Sequence, residues 1–178
     1  RGYIKNNIFK IGISSSELQK AYDSKGNFVF DPAKSPDAFL ASHSFFLLNE
    51  AHNRMGSDLN FLESNKAPSP ALKTAVKLWD AAKTERTNVL PKQMTKNVNQ
   101  LNAWYERPYD KYGNVQRSLT FLFSGNVLTA ESSDIVRHEF GHEATDKLRP
   151  TFFESQSDET GALHEWSGDA FAFFNALT

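Results

Sequence analysis

The chain has 178 residues, no cysteine and a formal net charge of −1. That length suffices for one hydrophobic core, and two full domains are not expected. The near-neutral charge indicates no nucleic acid or other polyanionic partner. The lack of cysteine excludes a disulfide framework, a thiolate metal site and a cysteine nucleophile. No apolar run is long enough to span a bilayer.

The N-terminal segment, residues 1–30, mixes short apolar runs with polar turns. A turn at 23–27 leads into the apolar residues 28–30, a pattern that predicts a strand entered from a turn. We therefore expect an N-terminal β segment that packs on a larger lobe formed by residues 31–178.

Two helices are predicted next. Ser35 is suited to the N-cap position and Pro36 to the first helical position, while Gly56 can take the left-handed conformation that ends a helix. Apolar residues recur at helical spacing between them. A shorter helix is predicted at 71–83, after a proline-containing loop.

The C-terminal half predicts strands followed by helices. Strands are expected at 98–106 and 117–124, the second with alternating apolar residues. Helices are expected at about 134–148 and 160–176. This order implies an α+β protein with a mixed, mainly antiparallel sheet followed by two helices.

The first of these helices carries an H-E-x-x-H motif, in which His138 and His142 are four residues apart. This spacing places both imidazoles on one helix face, where they can bind the same ion. Glu139 is offset by one residue, so its carboxylate can approach a metal-bound water without becoming a ligand. The alternative is a polar helix face with two solvated histidines.

A catalytic zinc ion needs a third protein ligand. The metzincin pattern is excluded because Leu148 stands where its third histidine would be. On the second helix, Glu165 and Asp169 share one face, so we assign Glu165 as the third ligand and Asp169 as the carboxylate that orients a ligand histidine. The alternative is a pair of acids favoured by the helix dipole, with a core-facing His164.

These two motifs, at 138–142 and 165–169, resemble the signature of the thermolysin-like peptidases, or gluzincins. Residues 144–146 and 160–162 are also similar to that family's flanking sequences. The upstream segments 101–105 and 51–54 resemble, more weakly, the edge strand that pairs with bound peptide and the end of a long early helix. The resemblance covers about residues 30–178 and is most specific around the metal.

The resemblance implies a zincin-like catalytic lobe with one catalytic Zn²⁺ ion and a polypeptide substrate. It further implies that Asn102 and Ala103 bind the substrate backbone and that the protein is secreted or extracytoplasmic, although no signal peptide opens the chain. Calcium, which some relatives bind, is not indicated by any motif.

The sequence departs from the family in two places. The family's catalytic lobe is followed by a helical lobe that supplies a histidine and an arginine, whereas this chain has no histidine beyond His164. The family also places a tyrosine between the two motifs, and residues 143–164 contain none. We expect a missing C-terminal lobe or a partner to cover four apolar residues near the end, Phe171, Phe173, Phe174 and Leu177.

The sequence therefore predicts a zinc-dependent metallopeptidase in which Glu139 is the general base. Two alternatives stay open. One is a zinc hydrolase that acts on a substrate other than peptide, and the other is a binding or structural module that keeps zinc without turnover. Glu139 argues against the second alternative, because a structural zinc site needs no base and is usually completed by a fourth protein ligand.

Overall fold

Strands and helices intermix along the part of the chain that the computed structural model describes, residues 2–27, 31–65, 68–96, 98–155 and 157–177. The strands in these ranges are β1 (Gly2–Lys5), β2 (Phe9–Ile13), β3 (Thr87–Met94), β4 (Ala103–Glu106), β5 (Arg117–Ser124) and β6 (Val127–Leu128). The helices are α1 (Ser15–Leu18), α2 (Pro36–Asn65), α3 (Pro70–Ala82), α4 (Ser133–Leu148), α5 (Pro150–Glu154) and α6 (Asp158–Ala176). None of the described helices combines the length and apolarity that a membrane span requires.

The sheet has the strand order β1-β2-β3-β5-β4, and β6 pairs with β5. The β2–β3 and β3–β5 pairings are parallel, whereas β1–β2, β4–β5 and β5–β6 are antiparallel. The predicted α+β class with a mixed sheet is confirmed. The N-terminal β1–β2 hairpin joins this sheet through β2, and the strand predicted at 28–30 lies outside the described residues.

Strand β3 lies at the centre of the sheet, and the sequence analysis did not predict it. Its buried residues alternate as a half-covered strand requires. The pattern is hard to see in the sequence because Pro91 interrupts it, and proline is normally found away from central strands. The register of β3 against β5 shifts between Leu90 and Gln93, which accommodates the proline.

Strand β4 is shorter than predicted. The ladder begins at Ala103, and Val98–Gln100 form a turn of 3₁₀ helix instead of the predicted start of the strand. Two asparagines and a glutamine lie among residues 99–102, and their side chains compete with strand pairing by bonding to nearby backbone. The boundaries predicted for β5 agree with the structure.

Helix α2 begins as predicted, because the backbone N–H of Ala38 donates to Ser35 Oγ at 3.4 Å. The predicted end at Gly56 is wrong, since the helix continues to Asn65. Gly56 does not take a positive φ, and a Cβ built on it lies 3.5 Å from Trp79 Nε1 of α3. Leu59, in the following turn, is buried. Packing against α3 therefore extends the helix past a residue that could have ended it.

Helix α4 packs against the sheet through an apolar face that includes Val136, Phe140 and Ala144. A buried ion pair joins Lys147 Nζ to Glu143 Oε1 at 2.7 Å within this helix. Thr87 Oγ1, on β3, donates to the same Glu143 oxygen at 2.8 Å. These contacts fix the C-terminal half of α4 to the centre of the sheet.

A second buried group ties α4 to the other end of the sheet. The Asp146 carboxylate accepts hydrogen bonds from Tyr105 Oη of β4 at 2.8 Å and from Arg117 Nε of β5 at 2.9 Å. Arg107 Nε lies 3.2 Å from the other carboxylate oxygen. Because Asp146 is fully buried, these partners hold α4 in a set position beside β4.

Candidate metal centre

The H-E-x-x-H motif lies in the middle of α4. The N-terminus of this helix is capped by Ser132, whose Oγ accepts a hydrogen bond from the Ile135 N–H at 3.4 Å. Nε2 of His138 and Nε2 of His142 are 3.0 Å apart. With Glu139 these histidines form a group that could hold a metal ion, the one such group found among the described residues.

The outer nitrogen of each imidazole has a partner on α6. Nδ1 of His138 lies 2.9 Å from Asp169 Oδ1, and Nδ1 of His142 lies 3.1 Å from His164 Nδ1. Both Nε2 atoms are therefore left to face each other. Two nitrogens bound to one zinc ion at about 2.0–2.1 Å lie roughly 3–3.5 Å apart, so the observed spacing fits a shared metal.

Glu165 lies on the solvent side of the two imidazoles. Its Oε2 is 3.4 Å from His138 Nε2 and its Oε1 is 3.8 Å from His142 Nε2. The side chain is 71% exposed. The residue predicted as the third ligand thus has its carboxylate beside both Nε2 atoms, whereas Asp169 contacts only the outer nitrogen of His138.

Glu139 is buried beside these groups. Burial raises the pKa of Glu139 to about 7, His138 opposes that rise, and Glu165 adds to it. Its Oε2 atom has no hydrogen-bond partner among the described residues. A carboxylate with a pKa near neutrality can both accept and return a proton at physiological pH.

The histidine His142 is kept neutral by its surroundings. Burial, together with the neighbouring His138 and His164, lowers the pKa of His142 to about 4, and Asp169 opposes this shift. A metal ligand must be deprotonated at the coordinating nitrogen. At pH 7 His142 is therefore in the protonation state that metal binding needs.

A cavity of about 420 Å³ adjoins the cluster. Its walls come from the start of β4, from the segment before α4, and from α4 and α6; they are formed by Leu101, Asn102, Ala103, Thr129, Asp134, Ile135, His138, Glu139, Asp169 and Ala172. Asn102 and Ala103, the predicted substrate residues, thus line the same space as His138 and Glu139, whereas His142 and Glu165 are not among its lining residues.

Strand β4 is at the edge of the described sheet, with β5 on one side only. The Asn102 carbonyl accepts from the Leu122 N–H at 3.0 Å, so the backbone of Asn102 is used by β5. Successive residues of an antiparallel strand direct their backbone groups to opposite sides. Ala103 therefore presents its backbone to the free edge, and Asn102 offers only its side chain.

Two glycines allow α4 and α6 to approach closely. A Cβ built on Gly141 would lie 2.8 Å from Gly168 Cα, and a Cβ built on Gly168 would lie 2.8 Å from Cε1 of His138. Real Cβ atoms essentially never make such short contacts. The His138 ring thus lies in the space that a side chain at position 168 would occupy.

The sequence analysis missed the roles of His164 and Gly168. His164 was considered only as a core-facing residue, and Gly168 only as a spacer within the second motif. Both lie on the face of α6 that also carries Ser167, Phe171 and Asn175, the face that packs towards α4. Helical spacing counted from the buried face would have grouped them with the ligands.

The apolar residues near the end of α6 are not all alike. Phe173, Phe174 and Leu177 are more than half exposed, as expected. The expectation that a missing lobe or a partner covers Phe171 is corrected by the structure. This residue is partly buried, and its ring lies 5.1 Å from that of Phe140 in the core. Phe171 therefore needs no further covering surface.

Comparison of the chain with family models, with curated proteins and with solved structures finds no match. The case for function therefore rests on the geometry and chemistry of the site. A second cavity, of about 410 Å³, is lined by residues of β2 and β3, including Lys10, Gly12, Asn88 and Lys92. It contains none of the predicted site residues, and the Lys92 amine in its wall is already paired with Asp37 at 2.6 Å.

Proposed function

We propose that this chain is a zinc-dependent metallopeptidase with the zincin-like catalytic lobe of the thermolysin-like family. One observation carries the proposal: the Nε2 atoms of His138 and His142 converge to 3.0 Å while a buried Glu139 carboxylate lies beside them. A hydrogen bond between two neutral imidazoles would also bring these nitrogens together, but it would leave the buried Glu139 carboxylate beside them without a role. A purely structural site would have no use for the adjacent base.

Zinc is the metal that best suits the donor set. Imidazole nitrogens and one carboxylate are typical ligands of catalytic zinc, which keeps a fourth position open for water or substrate. His138, His142 and Glu165 would supply the three protein ligands. Asp169 would hold His138 with Nδ1 protonated, leaving Nε2 to bind the ion.

The reaction proposed is hydrolysis of a peptide bond. A bound zinc ion would polarise the substrate carbonyl and lower the pKa of a water molecule. Glu139 would accept the proton from that water and pass it to the leaving amine, a role that suits its raised pKa. Its buried position keeps bulk water from competing for the proton.

A polypeptide substrate is favoured by the wall of the cavity opposite the metal. An extended peptide can add to the free edge of β4 by backbone hydrogen bonds, with Ala103 supplying the nearest unpaired groups. The same cavity contains His138 and Glu139. A peptide bound at this edge would thus lie against the residues that perform the chemistry.

The role of Glu139 as base is tested by the substitution Glu139→Gln. This change keeps the shape of the side chain but replaces the carboxylate, which can accept a proton, by an amide, which cannot. We expect zinc content to be unchanged and cleavage of a denatured protein to fall by about a hundred- to ten-thousandfold. Glu159→Gln, at the exposed start of α6, is the matched control and should cleave like the parent. Equal cleavage by the parent and by Glu139→Gln would show that another group is the base.

The ligands are tested by metal analysis of His138→Ala and His142→Ala, both of which should lose zinc. Full zinc content in either variant would refute the ligand assignment.

A zinc-keeping binding module is the second candidate, favoured by the exposure of Glu165 and of Phe173 and Phe174. Bound zinc without cleavage of peptides or esters would support that module, and ester cleavage alone would support a non-peptide hydrolase.

A further inference from the structure

The ligand histidines have different partners at their outer nitrogens. Nδ1 of His138 faces a carboxylate oxygen of Asp169. An ionised carboxylate accepts hydrogen bonds and cannot donate one. Nδ1 of His142 instead faces Nδ1 of another histidine, His164, at 3.1 Å. An imidazole nitrogen can be either donor or acceptor. The direction of this second hydrogen bond is therefore not fixed by residue type.

Metal coordination decides the direction. The Nε2 atom of His142 points at Nε2 of His138, so Nε2 is the nitrogen available to a metal. A neutral imidazole that coordinates through Nε2 carries its proton on Nδ1. That proton must be donated to His164, whose Nδ1 must then be unprotonated and must act as the acceptor.

We propose that His164 is the positioning residue of the metal centre for His142: its unprotonated Nδ1 accepts the Nδ1–H of His142 and so reserves Nε2 of His142 for the metal. The inference rests on the proposed zinc site. It adds a residue that neither motif contains and makes the two ligand histidines unequal, one held by a carboxylate and the other by an imidazole.

The surroundings of His164 suit this role. Its ring stacks on Phe152, with centroids 5.5 Å apart, and meets the edge of Phe153 at 5.1 Å. These contacts fix the direction in which Nδ1 points. Its other nitrogen, Nε2, has no hydrogen-bond partner among the described residues. No other described group therefore competes with His142 in deciding which nitrogen of His164 is protonated.

Three variants separate this role from simple packing. His164→Leu removes the acceptor but keeps an apolar side chain, and we expect its zinc affinity to fall by about ten- to a hundredfold. His164→Asn places an amide oxygen close to the position of Nδ1 and should restore most of that affinity. His43→Leu makes the same change at a partly buried histidine outside the metal cluster, and its zinc affinity should equal that of the parent.

The affinities are measured by competition with a chelator, and histidine tautomers are read from ¹⁵N spectra of the zinc-loaded parent. The expected spectrum shows His142 protonated at Nδ1 and His164 unprotonated at Nδ1. A protonated Nδ1 on His164, or equal affinity in the parent and His164→Leu, would overturn the inference. If the parent binds no zinc, the proposed function fails and this inference fails with it. If zinc binds but no peptide is cut, only the proposed activity fails, and the spectra still decide the role of His164.

Discussion

Asp169 shows how a largely exposed side chain can matter to a metal site. Its side chain is 79% exposed, yet Oδ1 lies 2.9 Å from Nδ1 of His138. Solvent screening makes this contact a poor source of fold stability. We propose that the contact instead selects one tautomer and one ring orientation of His138.

The substitution Asp169→Asn should therefore weaken zinc binding more than it weakens the fold. The amide keeps one acceptor oxygen but loses the charge that favours a protonated Nδ1, so we expect affinity to fall by about ten- to a hundredfold with little change in Tm. Asp158→Asn, in the exposed first turn of α6, serves as the control. Unchanged zinc affinity in Asp169→Asn would mean that the contact does not orient the ligand.

Sequence spacing was sufficient to place the candidate ligand residues in pairs on common helix faces. His138 and His142, like Glu165 and Asp169, are four residues apart within predicted helices, and the period of the helix alone puts each pair on one face. That the two faces meet could not be read from spacing. The contact depends on Gly141 and Gly168, because a side chain at either position would keep α4 and α6 apart. The sequence alone does not show that these two glycines face each other.

At the scale of elements, the contact between α4 and α6 sets the metal site. Gly168→Ala tests this contact, because the added methyl group would meet the His138 ring at 2.8 Å. We expect weaker zinc binding and a lower Tm, since either the ring or the helix must move. Overpacking of this kind typically costs about 1–3 kcal/mol of the free energy of unfolding.

Gly161→Ala is the matched control on the same helix. A Cβ at Gly161 meets nothing within 4 Å, and helix propensity alone favours alanine there. This variant should keep its zinc affinity and be as stable as the parent or more so. If Gly168→Ala behaves in the same way as Gly161→Ala, the close approach of the helices is not needed for the site.

The elements that were predicted wrongly share one physical cause. Glycine often ends a helix, but α3 packs against Gly56 and α2 continues beyond it. Pro91 has the residue type of a strand breaker, but β3 keeps its central place with a shift of register. Local propensity is a weak preference that tertiary packing overrides. The ranges predicted for α4 and α6 end where the helices end and begin within two residues of their observed starts.

At the scale of the whole molecule, burial shifts most of the histidines of the chain towards the neutral form. Burial lowers the pKa of His43, His52, His142 and His164, four of the five histidines in the chain. These residues lie on α2, α4 and α6, so the effect belongs to no single element. Their common consequence is a dependence of stability on pH.

The metal-free protein should lose stability as the pH falls from 7 to 5. Below about pH 6.5 the unfolded chain binds protons at these four histidines more readily than the folded protein does, because each folded pKa is lowered, so acid favours unfolding. Glu139 acts in the opposite direction: its pKa is raised to about 7, and the folded protein therefore holds a proton that the unfolded chain has released. The pKa shifts of His142 and Glu139 are similar in size and opposite in effect, so the expected net loss comes from His43, His52 and His164.

The measurement is the Tm at pH 7, 6 and 5 in the presence of a chelator. A second series with zinc should fall more steeply over the same range, because protons compete with the metal for His138 and His142. His52→Phe, a change in the core away from the metal, removes one titrating group and should make the chelator series shallower. A Tm that stays level or rises towards pH 5 without metal would contradict the expected net loss. If His52→Phe also left the slope of the chelator series unchanged, the view that burial keeps these histidines neutral in the folded protein would have to be abandoned.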